Sequence, residues 1–439
     1  MQSPREVALQ ILYDIEKNGA YLNISFQSRG EKSGLSGRDA AFVKELTYGV
    51  MQRKLTLDKV IAQFSSVKLR KLAPYVLCIL RMGLYQLFYM DKIPQSAAVN
   101  ESVHLAGKYA GRSQGFINAI LRRATQEGIQ LPEGHDSEAL SVRYSHPLPL
   151  VCWLQDQFGY EKALQILKEN NEAPPLCLRT NVLKTTREAL IVRLGEEGIL
   201  AQNGAMSNVA VVAEGGGIRQ TEAYAEGLFT IQDQSAQLVA LALRPLPGQR
   251  VYDVCAAPGG KTTHLAELME DKGQIMALDI YEKRLQSVEQ AARRLGLSII
   301  TTYSDDARTF TANEKADKIL VDAPCSGLGV VRRRPDIKYK EGLLDFSELV
   351  DTQLAILRRC GTMLKSGGEL VYSTCTINPS ENEGVIQAFL SENPAFSLMP
   401  ISGEGMGEQA KAILKKGMGT FYPDKHEGDG FFIAKLKKE

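Results

Sequence analysis

The chain has 439 residues, 44% of them hydrophobic, and a formal net charge of +1. That length and composition predict a folded protein of about three domains and exclude a disordered chain. Met1 leads into the polar run Gln2-Ser3-Pro4-Arg5-Glu6 and no apolar stretch is as long as a membrane span, so neither a signal peptide nor a membrane association is expected, and a cytoplasmic location is. The seven cysteines (Cys78, Cys152, Cys177, Cys255, Cys325, Cys360, Cys375) are scattered and form no Cys-x-x-Cys or Cys/His cluster. Disulfides and a metal site are therefore not expected. The near-zero net charge hides an asymmetry: residues 1–125 hold 18 Lys+Arg against 9 Asp+Glu, a balance of +9, which leaves −8 for the rest. The N-terminal part is the candidate phosphate-facing surface, although a solvated helical surface would show the same excess.

From Pro4 to about Thr125 apolar residues recur three and four apart, as at Val7, Ile11, Leu12 and Ile15, and no strand pattern interrupts them. The stretch Ala73 to Met90 is apolar nearly all round, which predicts the central helix of an all-α bundle. Helical patterns restart at Ser96 to Lys108 and Gly115 to Arg123, the latter ending in the Arg122-Arg123 pair. A helical stretch around Leu150 to Asn170 carries the sole tryptophan, Trp153. Short strand-like runs (Leu176 to Arg179, Val209 to Val212, Leu228 to Gln232) and one helix near Thr186 to Glu197 then predict a small α+β module, with Gly215-Gly216-Gly217 as a turn. From Ser235 strands (Arg250 to Cys255, Gln274 to Asp279, Ser298 to Tyr303, Lys318 to Val321, Glu369 to Ser373) alternate with helices at about 261–271, 282–295, 346–365 and 381–391. That is the pattern of a doubly wound α/β sheet, with a last strand, Phe431 to Leu436, at its edge. The domain boundaries read from these shifts are 1–128, 129–234 and 235–439.

The first strand of the third domain runs into Cys255-Ala256-Ala257-Pro258-Gly259-Gly260-Lys261 and a helix. Small residues there let backbone amides approach a ligand. Gly260-Lys261-Thr262 is similar to the end of a P-loop, but the first glycine that motif needs falls at Cys255, and the three spaced glycines of a dinucleotide loop are absent. A nucleoside-binding turn without a pyrophosphate cradle remains, which suits S-adenosylmethionine. Asp279 ends the second strand, where a carboxylate accepts ribose hydroxyls. A strand-end aspartate also caps helices, and the neighbouring loop tips the balance toward ribose. Asp306, with Asp305 as its rival, is the candidate partner of the adenine amino group. The Cys255 side chain is expected to pack under the loop. Lys261 either approaches the reacting groups or merely starts the helix.

Two more turns each place a cysteine just beyond an apolar strand: Asp322-Ala323-Pro324-Cys325-Ser326-Gly327 and Ser373-Thr374-Cys375-Thr376. Ligands in an open α/β sheet sit at such carboxyl ends. If the two strands are neighbours, both thiols line one crevice, where one attacks a substrate and the other assists its release.

With these three turns in this order, the chain resembles the RNA cytosine-C5 methyltransferases of the RsmB (Sun/Fmu) group. Arg333-Arg334-Pro335-Asp336, Asn378-Pro379-Ser380-Glu381-Asn382-Glu383 and Asp429-Gly430-Phe431-Phe432 extend the match. Arg81-Met82-Gly83-Leu84-Tyr85-Gln86-Leu87 and Phe116-Ile117-Asn118-Ala119-Ile120-Leu121-Arg122 are similar to the NusB-type RNA-binding domain that this group carries. The resemblance implies a Rossmann-like class I methyltransferase domain, S-adenosylmethionine as donor, and a cytidine of 16S ribosomal RNA as acceptor. A monomer is expected. Cytosine C5 is a poor nucleophile, so a thiolate must first add at C6. From the residues alone either thiol qualifies, because Pro324-Cys325 resembles the Pro-Cys nucleophile of DNA cytosine methyltransferases. In the RNA enzymes the nucleophile lies in the Thr-Cys motif, which implies Cys375 as nucleophile and Cys325 as the residue that releases the adduct. Asp322 is then expected at the cytosine N3 and amino group, touching the donor as well. Arg332, Arg333 and Arg334 are expected at phosphates around a base flipped from its stack.

Overall fold

The computed structural model describes residues 2–423 and 428–439. It divides into two compact units, Met1–Ala173 with Val331–Glu341, and Pro174–Val330 with Gly342–Glu439.

The first unit is helical: α1 (Pro4–Asn18), α2 (Leu22–Ser33), α3 (Gly37–Gln52), α4 (Lys54–Phe64), α5 (Pro74–Tyr89), α6 (Gln95–Tyr109), α7 (Gln114–Glu127), α8 (Ser137–Tyr144), α9 (Leu148–Phe158) and α10 (Tyr160–Glu169). Its first residues show how local sequence sets a helix start. Ser3 accepts from the Glu6 amide while the Glu6 carboxylate takes the Ser3 amide, a reciprocal cap completed by Pro4 in the first turn. α5 is the central helix its composition predicts, since every residue from Val76 to Gln86 is buried. Each fully buried leucine or isoleucine there contributes about 1.5–3 kcal/mol. Arg81 on this helix is spent internally, with Nε 2.7 Å from Asp58 and Nη1 2.9 Å from Glu16. The Leu150 to Asn170 stretch is two helices rather than one, parted at Gly159, whose φ of 77° an L side chain rarely adopts.

Val331–Glu341 belongs to this unit although its flanks belong to the other. Lys338 is 1% exposed and donates to the Gln52 carbonyl at 2.8 Å, and the Tyr339 hydroxyl donates to the Ser145 carbonyl. Arg332 is 3% exposed and Arg333 half-buried, so Arg334 alone of the expected phosphate-contacting trio stands exposed.

The second unit opens with an antiparallel four-stranded sheet built from β1 (Leu176–Thr180), β2 (Leu200–Asn203), β3 (Ala210–Glu214) and β4 (Phe229–Ile231), in the order β2-β3-β1-β4. α11 (Arg187–Glu196) covers it through Leu190 and Leu194. The glycine run at 215–217 is followed by a 3-10 turn and the four-residue α12 (Glu222–Ala225), too short to show a periodicity in sequence.

The larger sheet has a parallel centre of β5 (Arg250–Asp253), β6 (Gln274–Asp279), β7 (Ile300–Ser304), β8 (Ala316–Asp322) and β9 (Leu364–Thr374), ordered β9-β8-β5-β6-β7. α13 (Gln234–Leu243), α14 (Gly260–Leu268) and α15 (Glu282–Leu295) cover one face, and α16 (Ser347–Met363) and α17 (Glu383–Glu392) the other. The strands alternate accordingly: Leu320 and Val371 join the first layer, Ile319, Val321, Leu370 and Tyr372 the second. β12 (Phe431–Lys438) is not an edge strand. It pairs antiparallel with β9 on one side, while β10 (Phe396–Leu398) and the strand β11 (Met418–Phe421) share its other side. Strand order reverses between β5 and β8, so a crevice opens at the carboxyl ends of these strands.

Candidate active site

β8 and β9 are parallel neighbours with Asp322 opposite Ser373. That register delivers the two cysteine turns to one place, and the sulfurs of Cys325 and Cys375 lie 3.4 Å apart. Both thiols are half-buried. Backbone bonds stitch the turns together, from the Ala323 amide to the Ser373 carbonyl (2.9 Å) and from the Gly329 amide to the Cys375 carbonyl (3.0 Å).

Buried polar side chains hold the same loops. Glu381, fully buried, accepts from the Ser326 amide at 2.8 Å and the Ser326 hydroxyl at 2.6 Å, and also from Gln353 and Asn378. Ser326 reaches Thr376 at 2.8 Å, which ties the first turn to the second. Asn382 brackets the second cysteine: its Oδ1 accepts from Thr374 and its Nδ2 donates to the Thr376 carbonyl. A buried carboxylate is costly unless its lone pairs are filled, and here the bonds that fill them fix the thiols.

Asp322 lies beside the thiols with both oxygens engaged, Oδ2 by the Lys261 ammonium at 2.7 Å and Oδ1 by the Ser373 hydroxyl at 2.9 Å. Lys261 therefore reaches Asp322 beside the two thiols as well as standing at the start of α14. Burial works against its charge, but Asp322 outweighs burial, with Cys375 adding to it, and the ammonium is held above its ordinary pKa. Its Nζ also lies 5.0 Å from the centre of the Phe431 ring. The Cys325 thiol is raised well above its usual range, first by its bond with Cys375 and then by burial.

The loop from Cys255 to Lys261 joins β5 to α14. Its Ala256 amide donates to the Leu278 carbonyl, and Gly259, at φ 104°, sits where a Cβ would come 2.9 Å from the Val288 backbone. Only glycine permits that approach. Cys255 packs against the apolar layer under the loop, and burial pushes its thiol well up. Asp279, 5% exposed, accepts from the Ala257 and Tyr281 amides, one on each oxygen. Next to it Ile280 and Tyr281 are exposed, at 51% and 62%. Beyond β7, Asp306 is engaged by Arg308 on both oxygens, and Asp305 accepts from the Asp306 amide.

The structure thus brings Cys325, Cys375, Asp322 and Lys261 together and sets Asp279 beside Ala257. Sequence reasoning did not single out Glu381, Asn382, Ser326 or Ser373 as groups that hold the thiols. Their signal is a carboxylate and two amides packed within Asn378 to Asn382, immediately after a strand-end cysteine. Among the described residues no group of three or more His, Cys, Asp or Glu side chains is placed to hold a metal, and no helix is long and apolar enough to cross a membrane.

Comparison with known proteins finds the family model described as 16S rRNA methyltransferase RsmB/F over residues 240–437, the NusB family over 2–126, and the ferredoxin-like domain of RsmF/B-like methyltransferases over 146–217. The chain is 39% identical to a probable ribosomal RNA small subunit methyltransferase B of Bacillus subtilis, covering 100% of this chain and 99% of that one. It is 36% identical to the ribosomal RNA small subunit methyltransferase B of Pseudomonas putida, over 99% and 98%. Among solved structures, PH0851 matches with a TM-score of 0.82 at 25% identity, over 100% of this chain and 99% of that one. A methyltransferase homolog protein from Pyrococcus horikoshii matches with a TM-score of 0.59 at 32% identity, over 69% and 99%. The paired-thiol crevice, the helical first unit and these full-length relatives agree, and the chain belongs to the RsmB/F family of 16S rRNA methyltransferases.

Proposed function

We propose that the protein transfers a methyl group from S-adenosylmethionine to C5 of a cytidine in 16S rRNA, through a covalent bond between Cys375 and cytosine C6. The observation that carries this reading is the 3.4 Å approach of the Cys325 and Cys375 sulfurs beside the Lys261–Asp322 pair.

The residues around the loop fit the donor. Each Asp279 oxygen takes one backbone amide and the Arg284 guanidinium lies 3.3–3.4 Å from both, so of the about four lone-pair sites of a carboxylate one stays open to a ribose hydroxyl and a second hydroxyl takes the place of Arg284. The exposed Ile280 and Tyr281 offer an apolar surface to adenine. Asp306, or its neighbour Asp305, is assigned to the adenine amino group. The start of α14 at Gly260 and Lys261 favours a carboxylate. When bound, the donor supplies an electrophilic methyl on a sulfonium and leaves as a neutral thioether.

The remaining chemistry belongs to the chain. Cys375 passes its proton to solvent and its sulfur bonds to C6 as the C5–C6 π pair moves into the ring, while Asp322 lies at the N3 and amino edge and Lys261 offsets the negative charge. That addition raises electron density at C5, where the methyl bond forms. Cys325 assists the next step, in which the C5 proton passes to water, its bonding pair re-forms the C5–C6 double bond, and the sulfur–C6 bond breaks to return the Cys375 thiolate. A ribosomal RNA substrate accords with action in the cytoplasm.

RNA carrying tritium at cytidine C5 tests the site of transfer. Each methyl incorporated should release one tritium to water, and methylation without release would overturn the assignment to C5.

A further inference from the structure

We propose that Arg179, on a strand of the small antiparallel sheet, is a positioning residue for the donor site, acting through Gly260 and α14. The inference rests on the donor reading above.

Arg179 is fully buried, and its guanidinium points out of its own sheet onto α14. Nε and Nη2 hold the two Glu267 oxygens at 3.1 and 2.7 Å. Nη2 also reaches the Thr263 hydroxyl at 3.0 Å, and Nη1 donates to Gln232 and to the Gly260 carbonyl, each at 2.5 Å. A guanidinium has five N–H donors, so these five bonds use them all.

Gly260, Thr263 and Glu267 stand at positions i, i+3 and i+7 of α14, which is a single stripe along the helix. A planar fork laid on that stripe fixes both the rotation of α14 and its position along its axis. Thr263 reinforces the hold, because its single hydroxyl proton is directed to the Gly259 carbonyl at 2.8 Å. The next residue is Lys261, whose ammonium reaches Asp322, and the preceding loop runs back to Ala257 on Asp279. A small rotation of α14 would therefore shift the loop amides and Lys261 together. Lysine cannot replace such a fork, since its ammonium is a point charge with three donors.

The test is calorimetric binding of S-adenosylhomocysteine to the full chain, alongside thermal melting. Arg179→Lys should raise the Kd by about tenfold, the worth of a lost hydrogen bond to a charged group. Leu190→Ala, which opens the core of the small sheet without touching α14, should lower the melting temperature and leave the Kd unchanged. Wild-type Kd in Arg179→Lys would overturn the inference, as would an equal rise in Leu190→Ala. If Arg179→Lys does not fold, the isosteric Thr263→Val decides: a raised Kd supports the assignment and an unchanged one refutes it. Failure of the wild-type chain to bind S-adenosylhomocysteine would instead refute the donor reading.

Discussion

Two sulfurs 3.4 Å apart do not both carry charge, because like charges at that distance disfavour each other's ionisation. The bond to Cys375 and burial raise the Cys325 pKa, so Cys325 keeps its proton in the resting enzyme. Which of the two sulfurs attacks is left open by the residues alone, and the assignment to Cys375 is the one the resemblance supplies. Another ionisable group, at the strand end that precedes the donor loop, has a measurable signature. Asp253 is fully buried at the end of β5, accepts from Thr262 at 2.7 Å, and burial pushes its carboxyl up to about 7. An unfolded chain ionises the same group near 3.9. Between roughly pH 4 and pH 7 the folded state thus holds a proton that the unfolded state has lost, and the residue's stabilising contribution, full below about pH 4, declines as pH rises through about 7. Asp253→Asn removes that dependence. Denaturant melts should show the variant gaining on wild type between about pH 4 and pH 7, and a constant difference across that range would contradict the assignment.

At the scale of elements, the two cysteine turns and the start of β12 meet around one glycine. The Gly329 amide donates to the Cys375 carbonyl, and its own carbonyl accepts from the Gly430 amide. A Cβ on Gly329 would lie 2.1 Å from the Gly430 oxygen and 2.8 Å from the Cys375 oxygen, and backbone cannot move aside cheaply. Gly329→Ala should therefore lower kcat by about a hundredfold or more, the cost of an ångström-scale misplacement, with the KM for the donor nearly unchanged. A variant with wild-type kcat would show that the thiols tolerate displacement. The strands bearing these turns were legible because each is an apolar run broken by a polar turn, and the donor loop because its small residues follow such a run. β10 and β11 were not, being three and four residues long and held by the outer side of β12 rather than by a pattern of their own. The contacts of Arg179 were equally invisible, since Glu267 lies 88 positions away.

At the scale of the molecule, the basic excess of the first unit divides into two uses. Arg81, Arg29, Lys54 and Lys108 are paired with acids, whereas Lys59, Lys68, Arg70, Lys71 and Arg122 are exposed. Composition reveals the excess and not this division, which depends on helix packing. Deleting the helices would also strip the surroundings of Lys338 and Tyr339, so charge removal is the cleaner probe. Replacing Lys68, Arg70 and Lys71 by alanine should weaken binding of a 16S rRNA fragment and flatten the slope of log affinity against log salt by about two. An unchanged slope would remove the bundle from the RNA interface. The whole account turns on which sulfur bonds to the base. Denaturing gels of enzyme mixed with labelled rRNA and donor measure it directly: Cys325→Ala should retain a protein–RNA adduct, while Cys375→Ala forms none and methylates nothing. An adduct in Cys375→Ala, with none in Cys325→Ala, would contradict it.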